Sequence, residues 1–368
     1  MYLKKLDIIN FKNYPELDAT FVPGINCFLG NNGEGKTNLL DAIYYLSMSK
    51  SFFNPVDSQN IRHQEEFFVI QGEYERKDAT ENIYCGLKKG RRKKFKRNDK
   101  EYSKLSEHIG LIPIVMVSPY DSALITDGSE ERRKFMNIVI SQYDLNYLDN
   151  TINYNRILFQ RNALLKQQAN NHSFDKATIE IYNEQLHSLG HAIFEKRKNF
   201  IEELIPVFQD FYTKISGGKE TVGLQYSSVL KDNQLIDLLN INLSRDRALQ
   251  HTSQGVHKDD LVLTLEDYPI KKTGSQGQQK TYLVALKLAK FSFIKKIHKL
   301  NPILLLDDIF DKFDPGRVRE IINLVGEDGF GQIFITDTER EHLKDILKEN
   351  TSEARVFIIK DNMVNIQE

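Results

Sequence analysis

Three things are scarce in this chain of 368 residues: cysteine, long apolar runs and net charge. The two cysteines, Cys27 and Cys85, lie far apart with no metal-binding spacing, which excludes a disulfide framework and reads as two reduced thiols. No stretch reaches the ~18 apolar residues of a membrane span. Lys4, Lys5 and Asp7 stand where a signal peptide has its apolar run, so the expected location is the cytoplasm, without membrane contact. Lysine plus arginine number 50 and aspartate plus glutamate 51, a net charge of −1. That excludes a basic protein overall, and any nucleic-acid contact must be local. No internal repeat is visible. What remains is a chain with 40% hydrophobic and 27% charged residues. Its length suits two or three domains, or one large domain with an insertion.

Within it, Gly30-Asn31-Asn32-Gly33-Glu34-Gly35-Lys36-Thr37 satisfies G-x-x-x-x-G-K-[ST]. The flanks supply the context that this pattern needs. Gly24 to Leu29 reads as an apolar strand, and Asn38 to Leu46 as a helix with Leu39, Ala42, Ile43 and Leu46 on one face. Glycines at 30, 33 and 35 let backbone N–H groups converge on phosphate oxygens, and the helix N-terminus adds its positive dipole end. Lys36 is placed to reach the β- and γ-phosphates of ATP, and Thr37 to ligate Mg²⁺.

Ile303-Leu304-Leu305-Leu306-Asp307-Asp308 is four aliphatic residues ending in two acids. In P-loop proteins such a strand delivers a carboxylate to the Mg²⁺ shell. Asp307 takes that role and Asp308 that of general base for the attacking water. Aspartate is one methylene shorter than glutamate, so slow hydrolysis is expected. Upstream, Gly274-Ser275-Gln276-Gly277-Gln278-Gln279-Lys280 opens a helix, and Ser275 alone is an ordinary N-cap. Ahead of an acid-ending strand, the same residues resemble the signature motif of ABC-type ATPases.

Along the chain, Leu3, Leu6, Ile8, Ile9 and Phe11 read as an edge strand, with a second strand near Leu17 to Val22. Phe67 to Tyr74 and Ile83 to Leu87 read as further strands. Lys88 to Arg97 is a basic run closed by a hairpin turn at Asn98-Asp99-Lys100, a β-ribbon near 83–102. Two readings stay open for it: a solvated hairpin, or a phosphate-backbone surface of Arg91, Arg92, Lys93, Lys94, Lys96 and Arg97. Leu111 to Val117 reads as a buried parallel strand.

Leu145, Leu148, Ile152, Phe159 and Asn162 form one helical stripe. Ile179, Tyr182, Leu186, Leu189, Ile193, Phe200 and Leu204 form another, with a polar connection over Gln167 to Asp175. These read as an antiparallel pair, a short arm. Arg156, Arg161, Lys166, Lys196, Arg197 and Lys198 on it read as solvated. Leu235 to Arg247 and Lys280 to Lys296 read as helices, with βα elements at Arg317 to Val325, Gln332 to Thr336, His342 to Lys348 and Val356 to Ile359.

Several stretches, in order and over nearly the full length, resemble the RecF family of bacterial recombination-repair ATPases, relatives of the structural-maintenance-of-chromosomes proteins and Rad50. They are Asn10 to Tyr14, Gly30 to Asn38, Ser118 to Asp121 with Gly128 and Arg132-Arg133, Arg161 to Lys166, Gly255 to Leu261, Gly274 to Lys280, and Leu304 to Asp308. Tyr120, Val256, Lys258 and Gly274 depart from the family's usual residues. Thr336 stands where transporters carry a switch histidine, and Asp311 to Asp314 where the superfamily has its D-loop.

The resemblance implies an α/β fold, an ABC-type P-loop ATPase head over 1–135 and 250–368, with an inserted helical arm over 136–249. It implies an ATP-dependent homodimer in which Ser275, Gly277 and Gln278 of one copy meet ATP held by Gly30 to Asn38 of the other. Lys12 is carried over as a phosphate contact. His257 is either a structural residue or one at a DNA or dimer interface. DNA, notably gapped DNA at single-strand/duplex junctions, is the implied ligand, with RecR, RecO and RecA as functional partners. A transporter-type ATPase is disfavoured by Thr336 and by the helices of 140–205, and a chromosome-organising protein by the shortness of those helices. A fused nuclease needs an acidic metal-binding domain, and none is found up to Glu368.

Overall fold

The computed structural model of the chain describes residues 1–76, 79–171, 175–309, 315–326, 329–338, 353–361 and 363–366. The stretch Asp311 to Asp314 and the expected helix His342 to Lys348 lie outside the described residues. The chain forms two compact units, one of Met1–Asp121, Lys214–Gly218 and Lys280–Glu368, the other of Ser122–Thr213 and Lys219–Gln279. The second unit is larger than the expected insertion at 136–249. It also takes in residues 250–279, because the chain there pairs with strands of the second unit.

The first unit carries two six-stranded sheets. One runs β2-β1-β4-β5-β6-β7, formed by β1 (Tyr2–Phe11), β2 (Tyr14–Thr20), β4 (Phe67–Arg76), β5 (Ala79–Lys88), β6 (Lys94–Arg97) and β7 (Lys100–Glu101). β1 is not the expected edge: it pairs antiparallel with both β2 and β4. Leu3 and Leu6, three apart, both point inward because the ladder shifts register between Leu3 and Lys5. A bulge of this kind adds the residue that restores the face.

The other sheet runs β15-β14-β3-β13-β12-β8. Its members are β3 (Ile25–Leu29), β8 (Ile114–Val117), β12 (Ile303–Asp307), β13 (Ile333–Asp337), β14 (Ala354–Lys360) and β15 (Met363–Ile366). All but β15 are parallel. Parallel strands are covered on both faces, which is why β3, β8, β12 and β13 are buried at every residue.

Helix α1 (Lys36–Met48) packs against strands of both sheets, β1, β4 and β5 on one side and β8, β12 and β13 on the other. Its expected single apolar face is therefore too narrow: every residue from Leu39 to Met48 is buried. Phe11, Tyr45 and Phe68 meet edge to face in that layer. Helix α10 (Pro315–Gly326) and, from Lys280 on, helix α9 (Gln276–His298) also belong to this unit.

The second unit comprises α2 (Ala123–Thr126), α3 (Ser129–Ser141), α4 (Leu145–Asn171), α5 (Lys176–Ser216), α6 (Leu235–Ile241), α7 (Leu243–Leu249), α8 (Ile270–Thr273) and a sheet β11-β10-β9. Its strands are β9 (Val222–Ser227), β10 (Asp260–Leu265) and β11 (Tyr268–Pro269). The helix expected over Leu235 to Arg247 breaks at Asn242 into α6 and α7.

α4 and α5 are antiparallel, as three rungs show. Arg197 Nε donates to Tyr147 Oη at 3.0 Å, the Tyr154 ring lies against Gly190, and Arg161 Nε donates to Asn183 Oδ1 at 2.8 Å. The rungs step by seven, as a helix seam does. The stripe on α4 is not the expected one. Leu145, Ile152 and Phe159 are 47%, 50% and 75% exposed, whereas Tyr147, Tyr154, Ile157, Arg161 and Leu165 are buried.

Arg161 and Arg197 are likewise not solvated. Arg161 is fully buried and bonds Asp246, Thr252 and Asn183. Arg197 bonds Asp259 at 3.0 Å, the Val256 carbonyl at 2.8 Å, Asn137 and Tyr147. A guanidinium with five donors can satisfy a buried polar seam that apolar periodicity does not reveal.

Two histidines have both ring nitrogens engaged, His108 fully buried and His257 half-buried. His108 lies between the Leu46 carbonyl at 2.7 Å and the Tyr102 hydroxyl at 3.1 Å. His257 lies between Tyr154 Oη at 2.9 Å and the Thr252 carbonyl at 3.1 Å, so both ring nitrogens have partners within the chain. Burial pushes both down to about 4 from 6.5. The unfolded chain therefore binds more protons between those values, so stability is full above pH 6.5 and falls as pH drops toward 4. Each ring accounts for roughly 3 kcal/mol of that loss. Urea midpoints measured across this window should fall with pH and flatten in His108→Gln; an unchanged slope in that variant would count against the assignment.

Candidate nucleotide site

The C-terminal ends of β3, β13, β12 and β8 are in register: Leu29 pairs with Asp337, Thr336 with Asp307, and Leu306 with Val117. The crevice beyond such an edge is where parallel α/β sheets bind ligands. Residues 30–35 leave β3 there and turn into α1. Gly33 and Gly35 have φ of 88° and 101°, the left-handed region that only glycine enters freely. A Cβ at Gly30 would stand 2.4 Å from the Ile359 carbonyl oxygen of β14, and one at Gly35 would stand 2.3 Å from Asn13 Nδ2. No side chain caps α1, so its first-turn amides are open to an anion.

The Lys36 ammonium donates to the carbonyls of Gly30 at 2.6 Å and Asn31 at 2.9 Å. Burial lowers its pKa, and the carboxylates of Asp308, Asp307 and Asp337 act against that shift. Asn31, Asn32 and Gly33 are exposed. Glu34 accepts the Asp361 N–H at 2.6 Å. Two residues that sequence reasoning left without a role anchor the loop. Tyr14 Oη donates to the Gly35 carbonyl at 3.1 Å, and Asn13 Oδ1 accepts from Asn38 Nδ2 at 2.7 Å.

Opposite the lysine, Asp307 Oδ1 accepts from Thr37 Oγ1 and from Thr336 Oγ1, both at 2.9 Å. Its Oδ2 is 3.5 Å from Ser118 Oγ. Burial raises the Asp307 pKa, and the three hydroxyls hold it back. Thr336 also accepts the Asp308 N–H at 3.0 Å, and Asp308 has φ of 47°. Thr336, whose part the sequence left open, thus orients both acids. Strand order explains it: β13 lies between β3 and β12, so its last residues reach both neighbours. Periodicity does not report strand order. Ser118 has no assigned role in the sequence reading; its signals are its place at the end of an apolar strand and within one of the family-like stretches. Thr37 and Asp307 offer hard oxygen donors side by side, which fits Mg²⁺.

Lys12 is committed elsewhere. Its ammonium pairs with the fully buried Asp41 carboxylate at 2.6 Å and lies 5.2 Å from the Phe53 ring. Asp41 in turn accepts from Ser51 Oγ and the Phe52 N–H.

In the second unit, Ser275 and Gln278 form a reciprocal N-terminal box at the start of α9. The Ser275 N–H donates to Gln278 Oε1 at 2.7 Å, and the Gln278 N–H donates to Ser275 Oγ at 3.3 Å. Gln278 Nε2 also holds Glu220 at 2.9 Å. Ser275 is exposed and Gly277 half-buried.

The basic ribbon is a hairpin, with Asn98 and Asp99 both at positive φ, 47° and 64°. Its cations differ. Lys93 Nζ bonds Asp57 at 2.7 Å, the Ser49 carbonyl at 2.6 Å and Tyr45 Oη at 3.0 Å, with the side chain 9% exposed. Arg97 clasps Glu81 with two bonds. Lys96 lies 5.5 Å from the Tyr84 ring. Arg91, Arg92 and Lys94 face solvent. Among the described residues no helix is long and apolar enough to cross a membrane.

Comparison with known proteins agrees with this geometry. A family described as RecF/RecN/SMC N terminal domain matches residues 2–363. A Phocaeicola vulgatus protein named DNA replication and repair protein RecF is 54% identical over 366 residues, 99% of this chain and 98% of its own. One of the same name from Flavobacterium johnsoniae is 54% identical over 357 residues, 97% and 99% of the two chains. The solved structure of the recombination mediator protein RecF with ATP, in the RecFOR pathway, superposes with a TM-score of 0.90 at 30% identity. It covers 100% of this chain and 98% of its own. An Smc head bound to the C-winged helix domain of ScpA shares the fold at TM-score 0.57 and 14% identity, covering 100% and 97%. With its mixed α/β head of the ABC ATPase type and nearly full-length matches on both counts, the chain belongs to the RecF family.

Proposed function

We propose that the chain is an ATP-dependent DNA-binding protein of recombinational repair whose nucleotide site is completed by a second copy. The observation that carries this is the junction of Thr37 and Asp307 at 2.9 Å, at the sheet edge where the Lys36 loop ends. It is supported by relatives named as DNA replication and repair proteins and by a solved relative named with ATP.

Gly30 to Asn38 cradle the ATP phosphates with backbone amides and Lys36, and Thr37 and Asp307 hold Mg²⁺. Bound Mg²⁺ supplies neutralisation of the charge on the β- and γ-phosphate oxygens. Asp308, oriented through its own N–H by Thr336, accepts the proton of the attacking water. Ser275, Gly277 and Gln278 of the second copy add a hydroxyl and a helix N-terminus to the γ-phosphate. ATP then serves as a bridge, and its slow hydrolysis opens the dimer. DNA at gaps and single-strand/duplex junctions is held by phosphate contacts, with RecR, RecO and RecA acting downstream. Lys12 joins the phosphate contacts only by leaving Asp41.

Sedimentation with and without ATP, on gapped and on duplex DNA, tests this reading. Ser275→Arg should keep ATP affinity while the ATP-dependent dimer disappears; a dimer that persists in that variant sinks the shared site. The ribbon gives a separate test. Replacing Arg91, Arg92 and Lys94 with alanine should weaken DNA binding and reduce the slope of log affinity against log salt by about 3. Lys93→Ala should instead lower stability, because it removes the ion pair to Asp57 and the bonds to the Ser49 carbonyl and Tyr45 Oη. An unchanged salt slope in the triple variant makes the ribbon a solvated hairpin.

A further inference from the structure

Asp307 has support on its far side that the nucleotide loop does not provide. Its Oδ1 is taken by two hydroxyls, whereas Oδ2 has a single described partner, Ser118 Oγ at 3.5 Å. That distance is the outer limit of a hydrogen bond, so a small movement of Ser118 decides whether Oδ2 is engaged. Ser118 itself is held tightly. Its N–H donates to Asp121 Oδ2 at 2.9 Å, and Asp121 Oδ1 accepts from Lys287 Nζ at 2.5 Å. Lys287 also donates to the Met116 carbonyl at 3.1 Å and lies 5.7 Å from the Phe52 ring. Lysine and aspartate are both buried, with side chains 5% and 7% exposed.

Lys287 therefore clamps the end of β8, at Met116, and the segment after it, at Asp121, as one piece. A buried ion pair is on average no more stabilising than a well-packed apolar pair, so stability alone is a weak reason for two charges here. Firm links run from α9 to Ser118, and one slack link runs from Ser118 to the acid.

We propose that Lys287 and Asp121 are positioning residues for ATP hydrolysis, setting the Ser118 hydroxyl against the Asp307 carboxylate. This rests on the ATPase reading above. Neither residue is placed on the nucleotide, so their effect passes through Ser118.

The test uses the full chain with Mg-ATP. Ser118→Ala removes the last link, and the paired variant Lys287→Gln with Asp121→Asn removes both charges together so that neither is stranded. Each should keep ATP affinity within about twofold and lower kcat about tenfold. All three changes together should cost no more than the paired variant, because the effects share one path. Lys287→Arg should restore most of the rate. Without nucleotide, the Ser118 amide should exchange its hydrogen faster in the paired variant than in the parent chain. Wild-type kcat in Ser118→Ala, or losses that add and fall equally on affinity, overturns the relay. A parent chain that neither binds nor hydrolyses ATP overturns the ATPase reading and the relay with it. An active parent with unaffected variants overturns the relay alone.

Discussion

Lys36→Met should abolish ATP binding while leaving the fold at least as stable as before. In the proposed site the ammonium bonds phosphate; charge-assisted bonds are each worth roughly 1.5–3 kcal/mol, so losing two corresponds to at least about 100-fold in affinity. Without nucleotide the same ammonium is a burden. It is 6% exposed, burial lowers its pKa, and its partners are two loop carbonyls. Methionine fills a similar volume without a charge to desolvate. Thermal unfolding should show an unchanged or higher midpoint in the absence of ATP. The upward shift with millimolar Mg-ATP, present in the parent by mass action, should vanish. A variant that is still stabilised by ATP contradicts the loop assignment.

Arg197→Met should be the most damaging single change in the second unit. It leaves Asp259 buried, with a side chain 1% exposed, and deprives the Val256 carbonyl and Asn137 of a donor. Removing one partner of a buried pair costs about 3–5 kcal/mol. For a unit of this size that corresponds to roughly 10 °C in midpoint. Adding Asp259→Leu should recover much of the loss, because the stranded carboxylate goes with it. Next door, Lys196 pairs with Asp144 at 2.7 Å while 54% exposed, and Lys196→Ala should cost less than about 1 kcal/mol. Equal losses at the two positions, read from urea unfolding, would remove the distinction between the buried and the solvated cation.

That adjacent pair also shows where the sequence stops informing. Lys196-Arg197-Lys198 is one basic triplet, and nothing in it marks the middle residue as buried. Only the seam with Tyr147 on α4 does so. The same limit produced the misplaced stripe, since Leu145, Ile152 and Phe159 have the period of a core and face outward. Amphipathic residues such as Tyr154 and Arg161 pack as well as apolar ones once their polar ends find partners. β1 was misread as an edge because alternation reports one buried face, not how many neighbours a strand has. Lys93 looked like its neighbours in a basic run until Asp57, thirty-six residues away, came beside it.

The sequence by itself determined the glycine loop between β3 and α1, the acid-ending strand, the hairpin of the basic ribbon and the family. Each rests on neighbouring residues whose spacing is fixed by covalent geometry. Tertiary structure alone decided that Thr336 and Ser118 reach Asp307, that Asp41 holds Lys12, and which arginines are buried. Those facts depend on strand order and on contacts between residues tens to hundreds of positions apart, and no local pattern of residue types encodes them.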